Sequence, residues 1–335
     1  MALLITEPDV ARCTSLKDFI AAEEDGYRQL GLGHAETLLR REIRIRGKDL
    51  PHADPRMTKV SDGLAYLEES GVLVVSIGYN FPGVRDPPRK FLKYLFDAKD
   101  GDVLAVIDSA SVGANRTAAG GAIGAKYLSR KGSQSVGMVG AGRQARNQLR
   151  FLKLVRDVRR GYVLSRTRAK AETFCREMGS ELGVDLEPVE SAADLAGRVD
   201  VMVTTTPSFV PVVHADALSP GVHVNIIGAD DPPKIELDGD AMSKADKIVI
   251  AAEDSYDSGQ LAIPIAQGKI AKADVYATMG EVVAGIKPGR ERDDEITVFH
   301  SPGLTMEDAT ASNMVYRKAV SMGLGKQIPN PFEYR

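Results

Sequence analysis

Residues 133–145 read SQSVGMVGAGRQA, and this stretch constrains the fold more than any other. Val136, Met138 and Val139 form a short apolar run that ends in Gly140-Ala141-Gly142. Arg143, Gln144 and Ala145 then open a segment with Leu149, Leu152, Leu154 and Val155 at helical spacing. A strand that passes into a helix through a glycine turn builds a dinucleotide site. Gly140 permits the tight turn, Gly142 lets the backbone approach a pyrophosphate with no Cβ in the way, and Ala145 keeps helix and strand close. The N–H groups and positive dipole end of the helix beginning near Arg143 would receive the phosphates. Glycine turns occur in every fold, so the context decides: an apolar strand before, a helix after, and a second strand at 161–164.

From there strands and helices alternate. The pattern predicts strand 136–140, helix 143–156, strand 161–165, helix 168–182, strand 184–188, a short helix 191–197, and strands 201–205, 222–227 and 248–251. That is a doubly wound α/β domain with the nucleotide across the carboxyl ends of its strands. Thr205, closing one of those strands, joins Gly140, Ala141, Gly142, Arg143 and Gln144 in the expected cofactor-binding set.

The chain before this domain reads differently. Residues 15–30 predict a helix capped by Ser15 with Asp18 and stopped by Gly31. Residues 41–46 alternate charge with Ile43 and Ile45, and 57–67, 72–77, 91–96 and 103–107 are further strands. Asn80-Phe81-Pro82-Gly83, Asp86-Pro87-Pro88 and Asp100-Gly101 break them. Consecutive strands on short turns predict an antiparallel sheet, separate from the parallel one. A helix at 111–130 carries small residues over much of its surface, which suits close packing, and Arg116 in its first turns reads alone as a solvated charge. A last helix, 307–322, has the apolar stripe Ala309, Ala311, Met314, Val315 and Ala319 and ends in Gly323.

With 335 residues, two domains are the natural expectation. A net charge of −3 gives no general attraction to nucleic acid or anionic lipid. No apolar run reaches spanning length, and the opening residues carry Glu7 and Asp9 without a basic run, so neither a membrane span nor a leader is expected. Cys13 and Cys175 are too few for a disulfide framework and suit a reducing cytoplasm. The five histidines, His34, His52, His214, His223 and His300, show no ligand spacing, and no metal is implied.

The choice of cofactor is written at the end of the second strand. An acidic residue there bonds the ribose 2′-hydroxyl of NAD, whereas arginine and small hydroxyls accommodate the 2′-phosphate of NADP. Here Ser165-Arg166-Thr167-Arg168 supply two hydroxyls, two guanidiniums and no carboxylate. The reading favours NADP(H) over NAD(H).

At this point the residues carry a family resemblance. The chain resembles the ornithine cyclodeaminase/mu-crystallin family of amino-acid dehydrogenases, ketimine reductases and cyclodeaminases. The motifs are Asn115-Arg116-Thr117-Ala118-Ala119, the Gly140–Gln144 loop, residues 221–230 (GVHVNIIGAD) with Pro232 and Lys234, and Pro288-Gly289-Arg290 with Gly303, Glu307 and Asp308. They span roughly residues 40 to 320 in the right order. The resemblance implies a homodimer in which residues 1–118 and 305–335 form an α+β substrate and dimerisation domain with an antiparallel sheet. A Rossmann domain, 119–304, would be inserted into it.

The resemblance also implies roles. Arg116 would grip the substrate carboxylate, where a planar fork suits the job. Arg56, in Asp54-Pro55-Arg56-Met57, would be a second carboxylate-binding arginine. Asp230 would be the catalytic aspartate that handles the substrate amine or imine; without the resemblance, Asp230 before Pro232 reads as an Asx-turn residue. The chain departs from the pattern twice. The place of a substrate-contacting lysine falls near Ser76, the nearest lysines in sequence being Lys59, Lys90 and Lys93. The place of a glutamate used by cyclodeaminases falls at Tyr66 or a neighbour, with Glu68 slightly beyond. Lys59 and Tyr66 therefore complete the candidate substrate site.

The expected activity is hydride transfer between NAD(P)H and the α-carbon of an α-imino or α-amino acid, the protein supplying orientation, a carboxylate clamp and a proton donor. The alternatives are a cyclodeaminase that retains NAD and releases ammonia, and a nucleotide-binding protein without catalysis. The Ser-Arg-Thr-Arg sequence and the missing glutamate argue against the first. The joint presence of Asp230 and Arg116 argues against the second.

Overall fold

The computed structural model describes residues 1–38, 41–45, 59–81, 89–230 and 232–329. Contacts divide the chain into two units, Met1–Arg116 with Leu304–Arg335, and Thr117–Gly303.

The first unit opens with β1 (Ala2–Ile5), α1 (Glu7–Cys13) and α2 (Leu16–Leu32). The Ser15 N–H donates to the Asp18 carboxylate at 2.7 Å, which starts α2 as the sequence predicts. Its end differs. The helix continues through Gly31 and stops at Gly33, whose φ of 78° returns its N–H to the carbonyls of Gln29 and Leu30. β2 (Ala35–Thr37), β3 (Arg41–Arg44), β4 (Lys59–Leu67), β5 (Val72–Asn80), β6 (Arg89–Asp97) and β7 (Val103–Asp108) follow. The pairs β2/β4, β3/β4, β4/β5, β5/β6 and β6/β7 are antiparallel. The sheet is nonetheless mixed, a correction to the antiparallel expectation, because β1 runs parallel to β7. A four-residue strand leading straight into a helix has too little period to be read from sequence.

α3 (Ala110–Leu128) leads into the second unit. Its small residues mark close packing: a Cβ at Gly121 would lie 2.1 Å from Gln148 Oε1, and one at Gly124 would lie 2.4 Å from the Phe299 ring. Then come β8 (Ser135–Val139), α4 (Arg143–Val155), β9 (Arg160–Leu164), α5 (Arg168–Leu182), β10 (Asp185–Val189), β11 (Val201–Thr204) and β12 (His223–Ile226). They are followed by α6 (Gly239–Ser243), β13 (Lys247–Ile250), α7 (Gly259–Ala266), β14 (Val275–Thr278), α8 (Met279–Val283) and β15 (Thr297–His300). The strands form one parallel sheet in the order β10-β9-β8-β11-β12-β15-β13-β14. Its first five positions have the dinucleotide-binding order, with the switch between β8 and β11. The predicted helix 191–197 is only a 3-10 turn, Ala193–Leu195.

β15 escaped the sequence reading for a physical reason. His223 and Asn225 of β12 and Thr297 and His300 of β15 are all fully or almost fully buried, yet polar; β12 is still predicted as strand 222–227, whereas β15, only four residues long with a polar residue at each end, lacks an apolar signature. They satisfy one another instead: His223 joins Thr297 Oγ1 at 3.0 Å and Asn225 Oδ1 at 2.8 Å, and His300 joins Ser258 Oγ at 2.6 Å.

α9 (Thr305–Ser321) and β16 (Lys326–Ile328) belong to the first unit. β16 pairs with β1, so the mixed sheet runs β16-β1-β7-β6-β5-β4-β2, with β3 also on β4. α9 packs on β4, β5 and β6. Gly63 lets it approach, since a Cβ there would lie 2.1 Å from Thr305 Oγ1. No helix among the described residues is long and apolar enough to cross a membrane.

Candidate functional site

In the second unit, the glycine turn stands at the carboxyl end of β8. Gly140 has φ of 116°, and an added Cβ would meet Thr205 Oγ1 at 2.6 Å, so both shape and conformation require glycine. The Thr205 N–H donates to the Val139 carbonyl at 2.9 Å, which ties the end of β11 to the end of β8. At Gly142, the N-cap of α4, an added Cβ would meet nothing within 4 Å. The buried Nε2 of Gln144 has no hydrogen-bond partner among the described residues. An open approach, a helix N-terminus without a side-chain cap and an orphaned buried amide fit a dinucleotide.

At the end of β9, Ser165 is half-buried and Arg166, Thr167 and Arg168 are exposed. Arg168 is not idle: it pairs with Glu172 at 3.1 Å and with Glu190.

Beyond β12, the loop doubles back. Asp230 is exposed and pairs with Lys234, whose side chain is 5% exposed. Glu236 is fully buried, and its two oxygens accept from Thr204 Oγ1, from the N–H and Oγ1 of Thr206, and from the Gly228 N–H. Burial pushes this carboxyl up to about 7 against the pull of those four donors. Sequence reading missed Glu236; its signal was an acid set between Ile235 and Leu237.

In the first unit, Arg116 is 6% exposed, which overturns the reading of it as a solvated charge. Its Nη1 donates to Glu307 Oε2 at 2.8 Å and its Nε to Asp308 Oδ1 at 2.9 Å. The first turn of α9 supplies these acids, so two residues remote in sequence decide the environment of the arginine. Burial works to lower its pKa, but Asp308, Glu307 and Glu23 win and raise it. The other oxygen of Asp308 pairs at 2.9 Å with Lys93, which is 1% exposed and donates to Ser76 Oγ at 2.6 Å. The register explains it: Gly63, Ser76 and Lys93 stand opposite one another across β4, β5 and β6. The ammonium expected near Ser76 therefore comes from the neighbouring strand.

Tyr27 donates to Glu307 Oε1 at 2.7 Å, and Thr310 donates to Glu23 Oε2 at 2.9 Å. Burial and the Glu307 carboxylate raise Glu23 well above the ordinary range.

The substrate-site candidates are not all brought together. Tyr66 stands opposite Leu73, on the sheet face away from Gly63, Ser76 and Lys93. Lys59 takes the first register position of β4, opposite Asn80. Arg56 lies outside the described residues.

The family model for the ornithine cyclodeaminase/mu-crystallin family matches residues 80–323. The chain is 35% identical over 332 residues to an alanine dehydrogenase of Archaeoglobus fulgidus, covering 97% of this chain and 98% of that one. It is similar to a Thermococcus litoralis Delta(1)-pyrroline-2-carboxylate reductase solved with NADH and L-proline, at TM-score 0.89 and 31% identity over 97% of this chain and 100% of that one. It is also similar to an archaeal alanine dehydrogenase dimer with bound NAD, at TM-score 0.88 and 33% identity over 98% and 99% of the two chains.

Proposed function

The chain belongs to the ornithine cyclodeaminase/mu-crystallin family, and from that premise we propose how its residues divide the work of a nicotinamide-linked oxidoreductase acting on an α-imino or α-amino acid. The bound nicotinamide supplies or accepts hydride at the α-carbon. Asp230 acts on the substrate nitrogen, stabilising the iminium that is the better hydride acceptor. Arg116, aimed by Glu307 and Asp308, holds the substrate carboxylate, with Lys93 beside it on Asp308 and Arg56 as a second arginine. The observation that carries the reading is Asp230: an exposed carboxylate just beyond β12, next in the sheet to the strand whose end meets the glycine turn. Asp230→Asn keeps shape and hydrogen bonding, and kcat on an imino-acid substrate should fall about 10²-fold or more with nucleotide affinity little changed. Retained turnover would refute the role.

NADP(H) is the proposed preference. Ser165, Arg166 and Thr167 offer donors and no carboxylate, and because Arg168 is held by Glu172 and Glu190, Arg166 is the guanidinium assigned to a 2′-phosphate. Arg166→Ala should cost NADPH binding about 1.5–3 kcal/mol and leave NADH unchanged; tighter binding of NADH than NADPH by the unaltered protein would overturn the preference.

A homodimer through the outer face of the mixed sheet completes the proposal. The cross-strand rows Tyr66–Leu73–Phe96 and Leu64–Val75–Tyr94 lie on the face turned away from the row Gly63–Ser76–Lys93, and Leu64 and Leu73 are 37% and 39% exposed. Such a face asks for cover, and a second copy provides it. Tyr66 is reassigned from substrate to this surface. Sedimentation as a monomer at micromolar concentration would contradict it.

A further inference from the structure

Two returns of the chain staple the loop that carries Asp230. Lys234, four residues on, brings its ammonium back to the Asp230 carboxylate, and Glu236 brings its carboxylate back to the Gly228 N–H. The exposures of the ion pair are inverted from the usual surface case: the Lys234 side chain is 5% exposed and the Asp230 side chain 39%. A buried ammonium loses its hydration, so it is retained where an anion compensates it. It also has little room to leave. A Cβ at Gly259, the start of α7, would lie 2.3 Å from the Lys234 carbonyl oxygen, and the Glu236 N–H donates to Gln260 Oε1 at 2.8 Å. α7 thus clamps the backbone on which Lys234 stands.

The charged and titratable groups near Asp230 act unequally. His300, from the end of β15, is fully buried, and burial drives its pKa down to about 4, so its ring is neutral near pH 7. Glu236, from the same loop, spends both oxygens on Thr204, Thr206 and Gly228. Lys234 is a cation in direct contact with the Asp230 carboxylate.

We propose that Lys234 is a positioning residue for the reaction: it keeps Asp230 ionised and in one orientation, so that the carboxylate meets a cationic substrate nitrogen as an anion. The inference rests on the reading of Asp230 as the group that acts on that nitrogen. Hydride adds to the iminium carbon, the C=N π pair becomes the lone pair of the product amine, and Asp230 stays a carboxylate through the step. An Asp230 that took up a proton in the working pH range would lose this electrostatic benefit.

The test compares the whole protein with Lys234→Met and Lys234→Arg. The Asp230 titration is read by carboxyl carbon NMR, with Asp230→Asn identifying the resonance, alongside the pH profile of kcat/KM for imine reduction and the thermal midpoint. Lys234→Met should move the Asp230 titration, and the acid limb of the profile with it, upward by about one to two pH units, and Lys234→Arg should restore both. A merely structural lysine would lower the thermal midpoint without moving the titration. Coincident Asp230 titrations in Lys234→Met and the unaltered protein would overturn the proposal. Lys234→Gln serves the same comparison should Lys234→Met fail to fold. If instead Asp230→Asn kept its turnover, the role of Asp230 would fall while the titration still reported on Lys234, so the two failures are distinguishable.

Discussion

Glu23 in the first unit and Glu236 in the second are both fully buried carboxyl groups raised by burial, and they are held in opposite ways. Glu23 receives one hydroxyl, from Thr310, its Oε1 has no partner among the described residues, and it faces the carboxylates of Glu307 and Asp308. Glu236 receives four donors, two of them backbone N–H groups that can only donate. In the first case burial and neighbouring carboxylates favour the protonated form. In the second, fixed dipoles hold an anion poised near neutrality. Burial alone does not tell what a buried acid does; the donors around it do.

The strongest way to break this comparison is to remove the cation that balances the first cluster. Arg116→Met leaves Glu307 and Asp308 without their shared partner and should lower unfolding stability by about 3–5 kcal/mol, read from urea denaturation. A loss below about 1 kcal/mol would mean that the cluster is not organised around Arg116.

A smaller effect concerns pH. The folded pKa of Glu236, about 7, lies above its unfolded value of about 4.5, so the native state binds the proton more tightly. The stability from this group is fully present below pH 4.5 and is lost as pH rises through 7, on the order of 3 kcal/mol in all. Glu236→Gln removes that slope. The stability difference between the two proteins should therefore vary with pH across this window in the stated direction, and a constant difference would show that Glu236 does not titrate there. The smallest effect is at Glu23. Burial and the facing carboxylates favour its protonated form, which Gln imitates, so Glu23→Gln should change stability by no more than about 1 kcal/mol; a large loss would show that the carboxylate form is needed.

The second unit was the more legible in sequence, and the reason is local. A strand, glycine turn and helix within 135–155 carry their own period and punctuation, so the turn at Gly140 and Gly142 could be read from that stretch alone. The first unit hides its chemistry in partners far apart in the chain. Arg116 looks like a surface charge until α9 brings Glu307 and Asp308 to it, and Lys93 becomes relevant only through the register that sets it opposite Ser76. Tyr66 shows the complementary case: the alternation of β4 sends it to the face away from Ser76 and Lys93, and a shift of one residue in a strand reverses every side chain. β15 failed because its polar residues are satisfied inside the sheet.

The strand order also sets a timetable for synthesis. The second unit is contiguous, and its only late arrival is β15, which must enter between β12 and β13, both made earlier. The first unit needs residues 326–328 beside residues 2–5, and α9 over β4, β5 and β6, before its charged cluster can close. Pairings across so long a stretch are slow to form. On a ribosome delivering the chain from its amino end, the nucleotide-binding half can therefore mature while the half that holds Arg116 still waits for its counter-ions. Until then Lys93 of β6 and Arg116 of α3 lack the acids of α9, and the inner face of the mixed sheet is open to chaperones or to other nascent chains.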